Sequence, residues 1–123
     1  MEAVPLVAVV DDDQSLRTAL SALIRSLGIR VRVFASAELL LADVALNPDC
    51  VISDIQMPGM SGIDLIAALQ ARQGRIPVIL MTAREERALL SSATSCGALA
   101  VLRKPFAPEA LLESLGRALD LKL

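Results

Sequence analysis

Short apolar runs alternate with longer amphipathic stretches along the whole chain. Leu6-Val-Ala-Val-Val10 reads as a buried strand. Leu16, Leu20, Leu23, Ile24 and Leu27 then recur at helical spacing within residues 14–27, and Gly28 stands where a helix end favours positive φ. Val31-Arg-Val-Phe34 alternates like an edge strand. Ser36 is placed to cap a helix reaching about Leu46, where Asn47-Pro48 stops it. Cys50-Val-Ile-Ser53 is a third strand. Ser61-Gly-Ile-Asp64 has the spacing of a capping box, with Asp in place of Glu, and opens a helix to about Arg72 that Gly74 ends. Pro77-Val-Ile-Leu-Met81 is a fourth strand, its proline at the first position, where a missing donor does least harm. A helix from about Glu85 to Ser95 closes at Gly97, and Ala100-Val-Leu102 is a short fifth strand. Pro108 begins the last helix, with Leu111, Leu112, Leu115 and Leu119 predicted on its inner face.

Five strands and five helices in strict alternation predict an α/β fold. Strand runs apolar on both faces need helices on both sides of a parallel sheet. Right-handed crossovers leave few topologies, and the doubly wound five-stranded order 2-1-3-4-5 is the one expected. No linker, repeat or low-complexity tract interrupts the pattern, so residues 1–123 are expected to form one domain.

Composition narrows the function. The chain is 54% hydrophobic, which excludes disorder. A net charge of −2 removes the basis for strong nucleic-acid binding by this domain. No apolar run is long enough to cross a bilayer, so no membrane association is expected. The opening Met-Glu-Ala-Val-Pro lacks a basic region followed by an apolar one, so no signal peptide is expected. Two cysteines, Cys50 and Cys96, cannot build a disulfide framework; they read as reduced thiols of a cytoplasmic protein. The chain has no histidine, which excludes His-based metal sites and Ser/His or Cys/His nucleophile pairs.

The expected topology makes strands one, three, four and five consecutive neighbours. Ligands of such sheets bind at the carboxyl ends of the strands. Those ends carry Asp11-Asp12-Asp13, Asp54, Thr82 and Lys104-Pro105. Two carboxylates about 4 Å apart repel by roughly 4 kcal/mol at an effective dielectric near 20. Either one is protonated or a cation binds. An all-oxygen site with room for water suits Mg²⁺, or Mn²⁺. A metal beside one carboxylate, with a hydroxyl and an ammonium in reach, suggests phosphoryl transfer with Asp54 as nucleophile. Taken singly, each residue is better explained as a cap or a solvated side chain, and Asp13 is read as the cap of the first helix. Their joint occurrence at four neighbouring strand ends is not.

At these residues the chain resembles the receiver domain of bacterial two-component response regulators, from Val7 to about Leu119. Val9-Val-Asp-Asp12 is similar to that family's acidic pair, and Ser53-Asp-Ile-Gln-Met-Pro-Gly-Met-Ser-Gly62 to its phosphoacceptor segment. Met81-Thr-Ala83 and Arg103-Lys-Pro-Phe106 resemble its threonine and lysine-proline signatures. The resemblance implies a flavodoxin-like fold in which Asp54 accepts a phosphoryl group from a sensor histidine kinase or a small donor such as acetyl phosphate. It implies that Asp12 and Asp54 ligate Mg²⁺, with the Gln56 backbone carbonyl as a third ligand and Asp11 acting through a water. Thr82 and Lys104 would bind phosphoryl oxygens, and the Lys104-Pro105 bond would be cis. Such a domain is not an enzyme beyond its own phosphorylation and dephosphorylation. Gln56 and Arg84 would flank the phosphoryl pocket and influence the lifetime of the acyl phosphate.

One position departs from the family. The aromatic expected on strand five falls at Val101, so the readout through helix four, strand five and helix five lacks the side chain that the resemblance implies. Ala88, Leu89, Leu90 and Ala93 make helix four apolar around much of its circumference; an exposed stripe there would favour a homodimer on phosphorylation. A degenerate receiver, acting as a phosphorylation-independent interaction module, is the alternative. An aspartyl phosphatase would place an acid two residues after its nucleophile, where this chain has Gln56, and a nucleotide-binding domain would need a glycine-rich loop after strand one, which is absent.

Overall fold

Apolar runs flanked by polar strand ends fold here into a sheet whose centre is closed to solvent. The computed structural model describes residues 4–73, 75–84 and 87–123. The strands are β1 (Leu6–Val10), β2 (Arg30–Phe34), β3 (Cys50–Asp54), β4 (Val78–Thr82) and β5 (Ala100–Arg103). The helices between and after them are α1 (Gln14–Ser26), α2 (Ala37–Ala42), α3 (Gly62–Gln73), α4 (Arg87–Ser95) and α5 (Pro108–Leu119). All pairings are parallel and the order is β2-β1-β3-β4-β5, as the alternation predicts.

Successive residues of a strand face opposite sides of the sheet, and the core divides accordingly. Val7, Val9, Ile52, Ile79 and Met81 pack with Leu20, Ile24, Leu111 and Leu115 beneath α1 and α5. Ala8, Val10, Val51, Val78 and Leu80 pack with Leu40, Leu65, Ile66, Leu69 and Ala93 beneath α2, α3 and α4. Burial on both faces explains why β3 and β4 carry no solvent-facing residue. The edge strand β2 alternates only at its start, with Arg30 and Arg32 exposed about buried Val31, whereas Val33 is exposed as well.

The caps fall where expected. Asp13 accepts hydrogen bonds from the Ser15 and Leu16 amides at the start of α1, and Gly28 closes that helix at φ +82°. Ser36 caps α2 through the Leu39 amide. The Ser61–Asp64 box is reciprocal: the Asp64 amide donates to Ser61 Oγ at 3.1 Å, and the Ser61 amide donates to Asp64 Oδ2 at 3.2 Å. Two sequence expectations, that Gly74 ends α3 and that the fourth helix begins at Glu85, lie outside the described residues.

Three expectations need correcting. Helix α2 stops at Ala42 rather than near Leu46. The Leu41 carbonyl, which a continuing helix would bond to residue 45, is taken by Arg72 Nη1 at 2.7 Å, while Asp43 turns aside to Arg32 at 3.2 Å. Strand β4 begins at Val78, because Pro77 contributes only its carbonyl, which accepts from the Val51 amide. On α5 the inward positions are Leu111, Ser114 and Leu115, with Ala118 and Leu119 packed beside them. Leu112 is half-exposed instead and lines a surface groove with Glu109, Gly116 and Leu121.

Candidate functional site

The carboxyl ends of β1, β3, β4 and β5 meet at one patch. Strand β1 delivers Asp11, fully buried, and Asp12, exposed. The Asp13 amide donates to Asp11 Oδ1 at 2.8 Å, and Arg17 Nη1 reaches back from α1 to the Asp11 carbonyl at 2.7 Å. These bonds fix the turn and point the second Asp11 oxygen toward the sheet end. Strand β3 delivers Asp54, 7% exposed. Its backbone is pressed between layers: Ser53 Oγ donates to the Asp54 carbonyl, and a Cβ on Gly62 would overlap that same oxygen. A side chain at position 62 would force the start of α3 and the Asp54 backbone apart, so the glycine is required by space.

One oxygen each of Asp11, Asp12 and Asp54 lie within 4.8 Å of one another. Lys104 directly follows β5, and its bond to Pro105 is cis, as expected. Its ammonium lies 3.0 Å from Asp11 Oδ2 and 3.4 Å from Asp54 Oδ2. Among the described residues, these carboxylates share the Lys104 ammonium. Burial pushes the Asp54 carboxyl above its usual range; Lys104 opposes this, and the Asp11 and Asp12 charges add to it. For Lys104, burial pulls downward, but the bond to Asp11 and the charges of Asp54 and Asp11 prevail and hold the ammonium above its usual value.

The residues present suit a small hard cation. Among the described residues the donors are all carboxylate oxygens, and the Lys104 ammonium carries fewer charges than the three carboxylates it joins. The acidic pocket of Asp11, Asp12 and Asp54 can hold a divalent metal. Gln56 lies two residues beyond β3, so its backbone carbonyl belongs to the same end of the sheet.

Thr82, at the end of β4, is fully buried. Its hydroxyl donates to Gln56 Oε1 at 3.1 Å and accepts from the Arg84 amide at 3.0 Å. This side-chain role of Gln56 is absent from the sequence reading, which used only its carbonyl and its place beside the pocket. Glu38 was also passed over: from α2 it accepts from the Met60 amide at 3.1 Å and steadies the loop after Asp54. Spacing carries no signal for a contact between residues twenty-two apart. Val101 is half-buried and packs against the α2–α4 side of the core. On α4, Ala93 is buried and Leu89 and Leu90 are half-buried; no large apolar side chain of that helix is exposed among the described residues. Among the described residues α4 thus carries no exposed apolar stripe of the kind that would favour a homodimer.

Comparison with known proteins agrees with this geometry. The response regulator receiver domain family matches residues 7–116. The chain is 38% identical to the response regulator protein TmoT of Ectopseudomonas mendocina, over 94% of this chain and 53% of that protein. It is 38% identical to the transcriptional regulatory protein FixJ of Azorhizobium caulinodans, over 97% of this chain and 58% of the relative. The chain thus spans little more than half the length of these curated relatives. The crystallised chemotaxis protein CheY4 of Vibrio cholerae superposes with a TM-score of 0.84 at 29% identity, covering 94% of this chain and 99% of that one. With the fold, the strand-end acids and the family match in agreement, the chain belongs to the response regulator receiver domains.

Proposed function

We propose that Asp54 is a phosphoacceptor, charged by a sensor histidine kinase. The observation that carries this reading is the convergence of three carboxylate oxygens with the Lys104 ammonium at the β3 end. An Asp54 carboxylate oxygen attacks phosphorus, the phosphorus–nitrogen bond of a phosphohistidine breaks, and the nitrogen leaves with the electron pair. An aspartyl phosphate results, and hydrolysis returns the carboxylate and inorganic phosphate. Asp11, Asp12, Asp54 and the Gln56 carbonyl are the residues that would hold Mg²⁺ or Mn²⁺. When bound, the ion neutralises charge on the phosphoryl oxygens. Lys104 exchanges its contact with Asp54 for a phosphoryl oxygen while keeping Asp11, and Thr82 donates its hydroxyl to another. The domain turns over no other substrate.

The signal leaves through α4, β5 and α5, and a homodimer formed there on phosphorylation would meet through the half-buried Leu89 and Leu90 rather than through an exposed apolar stripe. Val101 and the half-buried leucines of α4 give this face an aliphatic filling in place of an aromatic switch. Receiver domains of response regulators partner with histidine kinases; nothing in this site calls for nucleic acid, and no described helix is long and apolar enough to cross a membrane.

The test is intact mass after incubation with acetyl phosphate. One phosphoryl addition that requires Mg²⁺ and disappears in Asp54→Asn is expected. The absence of any addition, together with no Mg²⁺ binding by titration, would instead support a phosphorylation-independent interaction module.

A further inference from the structure

We infer that the Gln56 side chain is a latch on Thr82, holding the domain in its unphosphorylated arrangement. This rests on the phosphoacceptor reading of Asp54. A hydroxyl carries one proton, and that of Thr82 is committed to Gln56 Oε1 at 3.1 Å. On its acceptor side the same oxygen takes the Arg84 amide at 3.0 Å. Thr82 is fully buried, so no water stands ready to replace Gln56. Any new acceptor for its proton, such as a phosphoryl oxygen on Asp54, must displace the Gln56 carboxamide.

The other end of that carboxamide shows how the latch is balanced. Gln56 Nε2 is buried with no hydrogen-bond partner. A buried amide held at one end only is costly, so the bond to Thr82 must more than offset the orphaned nitrogen for this rotamer to be kept. Gln56 also lines an open groove of about 490 Å³ with Met57, Pro58, Ile63, Arg84 and Leu89. Turning into that groove hydrates both ends of the amide and frees Thr82. The latch therefore opens by one side-chain rotation, without unfolding any backbone. Gln56 acts through Thr82 and is a positioning residue.

Substituting Gln56→Met keeps the length of the side chain and removes the acceptor. The unphosphorylated state then holds a buried hydroxyl that keeps the Arg84 amide but has no acceptor for its proton, while the state in which Thr82 meets a phosphoryl oxygen is untouched. Binding of beryllofluoride with Mg²⁺, a phosphoryl mimic, followed by NMR titration, should tighten about threefold to tenfold, the worth of one net hydrogen bond. The gain should vanish in the Thr82→Ala background, which a mere effect on access to the pocket would not do. In the metal-free protein, three-bond couplings should show one Thr82 χ1 rotamer in the parent and averaging in Gln56→Met. Gln56→Ala should repeat both results.

Unchanged or weaker binding in Gln56→Met, or a gain that survives Thr82→Ala, would overturn the latch. If the parent itself neither binds the mimic nor accepts phosphate, the reading of Asp54 fails. The Thr82 rotamer in the metal-free protein then decides the latch by itself, since unaltered couplings in Gln56→Met would refute it.

Discussion

The Lys104 ammonium lies 3.0 Å from the carboxylate of Asp11, which has no solvent exposure at all. The same ammonium reaches Asp54 at 3.4 Å, so one cation joins the ends of β1, β3 and β5. In Lys104→Met the apolar stem is preserved and two buried carboxylates lose their cation. Removing one member of a buried pair typically costs 3–5 kcal/mol. Because the lysine side chain keeps 22% of its exposure, the expected loss is at the lower end, about 3 kcal/mol, read as a lower urea midpoint at pH 7. The pH dependence has a definite sign. Lys104 is held above its ordinary value of 10.5, so its contribution is complete below that value and is lost as pH rises through the folded-state value. The parent should lose stability there by a step that Lys104→Met lacks. Equal midpoints for the two proteins at pH 7 would show that the ammonium contributes nothing net.

Asp54 titrates in the same direction, but its substitution should have the opposite effect on stability. Its carboxyl is pushed above the usual range by burial first, with Lys104 opposing and the neighbouring acids reinforcing. A carboxyl raised in the folded state favours folding while protonated. That advantage is present below the unfolded pKa and is lost as pH rises through the folded one. Asp54→Asn has no charge to bury, so at pH 7 it should melt a few degrees higher than the metal-free parent. Mg²⁺ should reverse the order. At about one hundred times its Kd it adds about 2.7 kcal/mol to the parent, and less to a variant lacking one ligand. Circular dichroism melts with EDTA and with Mg²⁺ measure both effects. A variant that melts lower than the parent in EDTA would remove the argument from carboxylate crowding.

Gly62 and Gly28 separate space from backbone conformation. A Cβ at position 62 would overlap the Asp54 carbonyl oxygen and stand 3.0 Å from Leu80 Cδ2. At position 28, φ is +82° but nothing lies within 4 Å of such an atom. Gly62→Ala should thus cost about 2–3 kcal/mol by overpacking and slow phosphorylation by displacing Asp54. Gly28→Ala should cost about 1–2 kcal/mol through left-handed strain alone and leave phosphorylation unchanged. Denaturant midpoints and acetyl phosphate kinetics on the two variants test this. Normal kinetics in Gly62→Ala would mean that α3 yields instead of the strand end.

The strand order and the four strand-end positions were legible because they depend on periodicity and on a topology with few alternatives. Asp13, Ser36 and the Ser61–Asp64 box were legible because capping is local: donor and acceptor lie within three residues. What escaped depends on tertiary contacts. The early end of α2 is made by Arg72 and Arg32, from other elements. Leu112 and Ser114 flank Leu111 and Leu115 on opposite sides of α5, and the leucine spacing does not say which flank turns inward. The Gln56–Thr82 bond joins residues twenty-six apart through their side chains, and nothing in either local sequence announces it.

The two thiols give a last prediction, about the strand that carries Asp54. Cys50 opens β3 and is fully buried between its neighbours, with its thiol pushed up to about 12 by burial first and by the nearby Asp49 charge second. At pH 8 only about one part in ten thousand is thiolate, and the thiolate is the reactive form. Cys96, at the end of α4, is half-exposed, with its sulfur 3.0 Å from the Ala93 carbonyl. In native buffer a disulfide reagent should therefore modify one thiol quickly, and Cys96→Ser should abolish that phase. Cys50 should then react only when the molecule unfolds, because β3 is hydrogen-bonded to β1 on one side and β4 on the other and cannot leave the sheet alone. Its labelling rate in Cys96→Ser should rise with urea in step with global unfolding and fall when Mg²⁺ is added. A rate at Cys50 that ignores urea would show that the start of β3 opens locally. The acceptor aspartate would then rest on a strand less rigid than its burial implies.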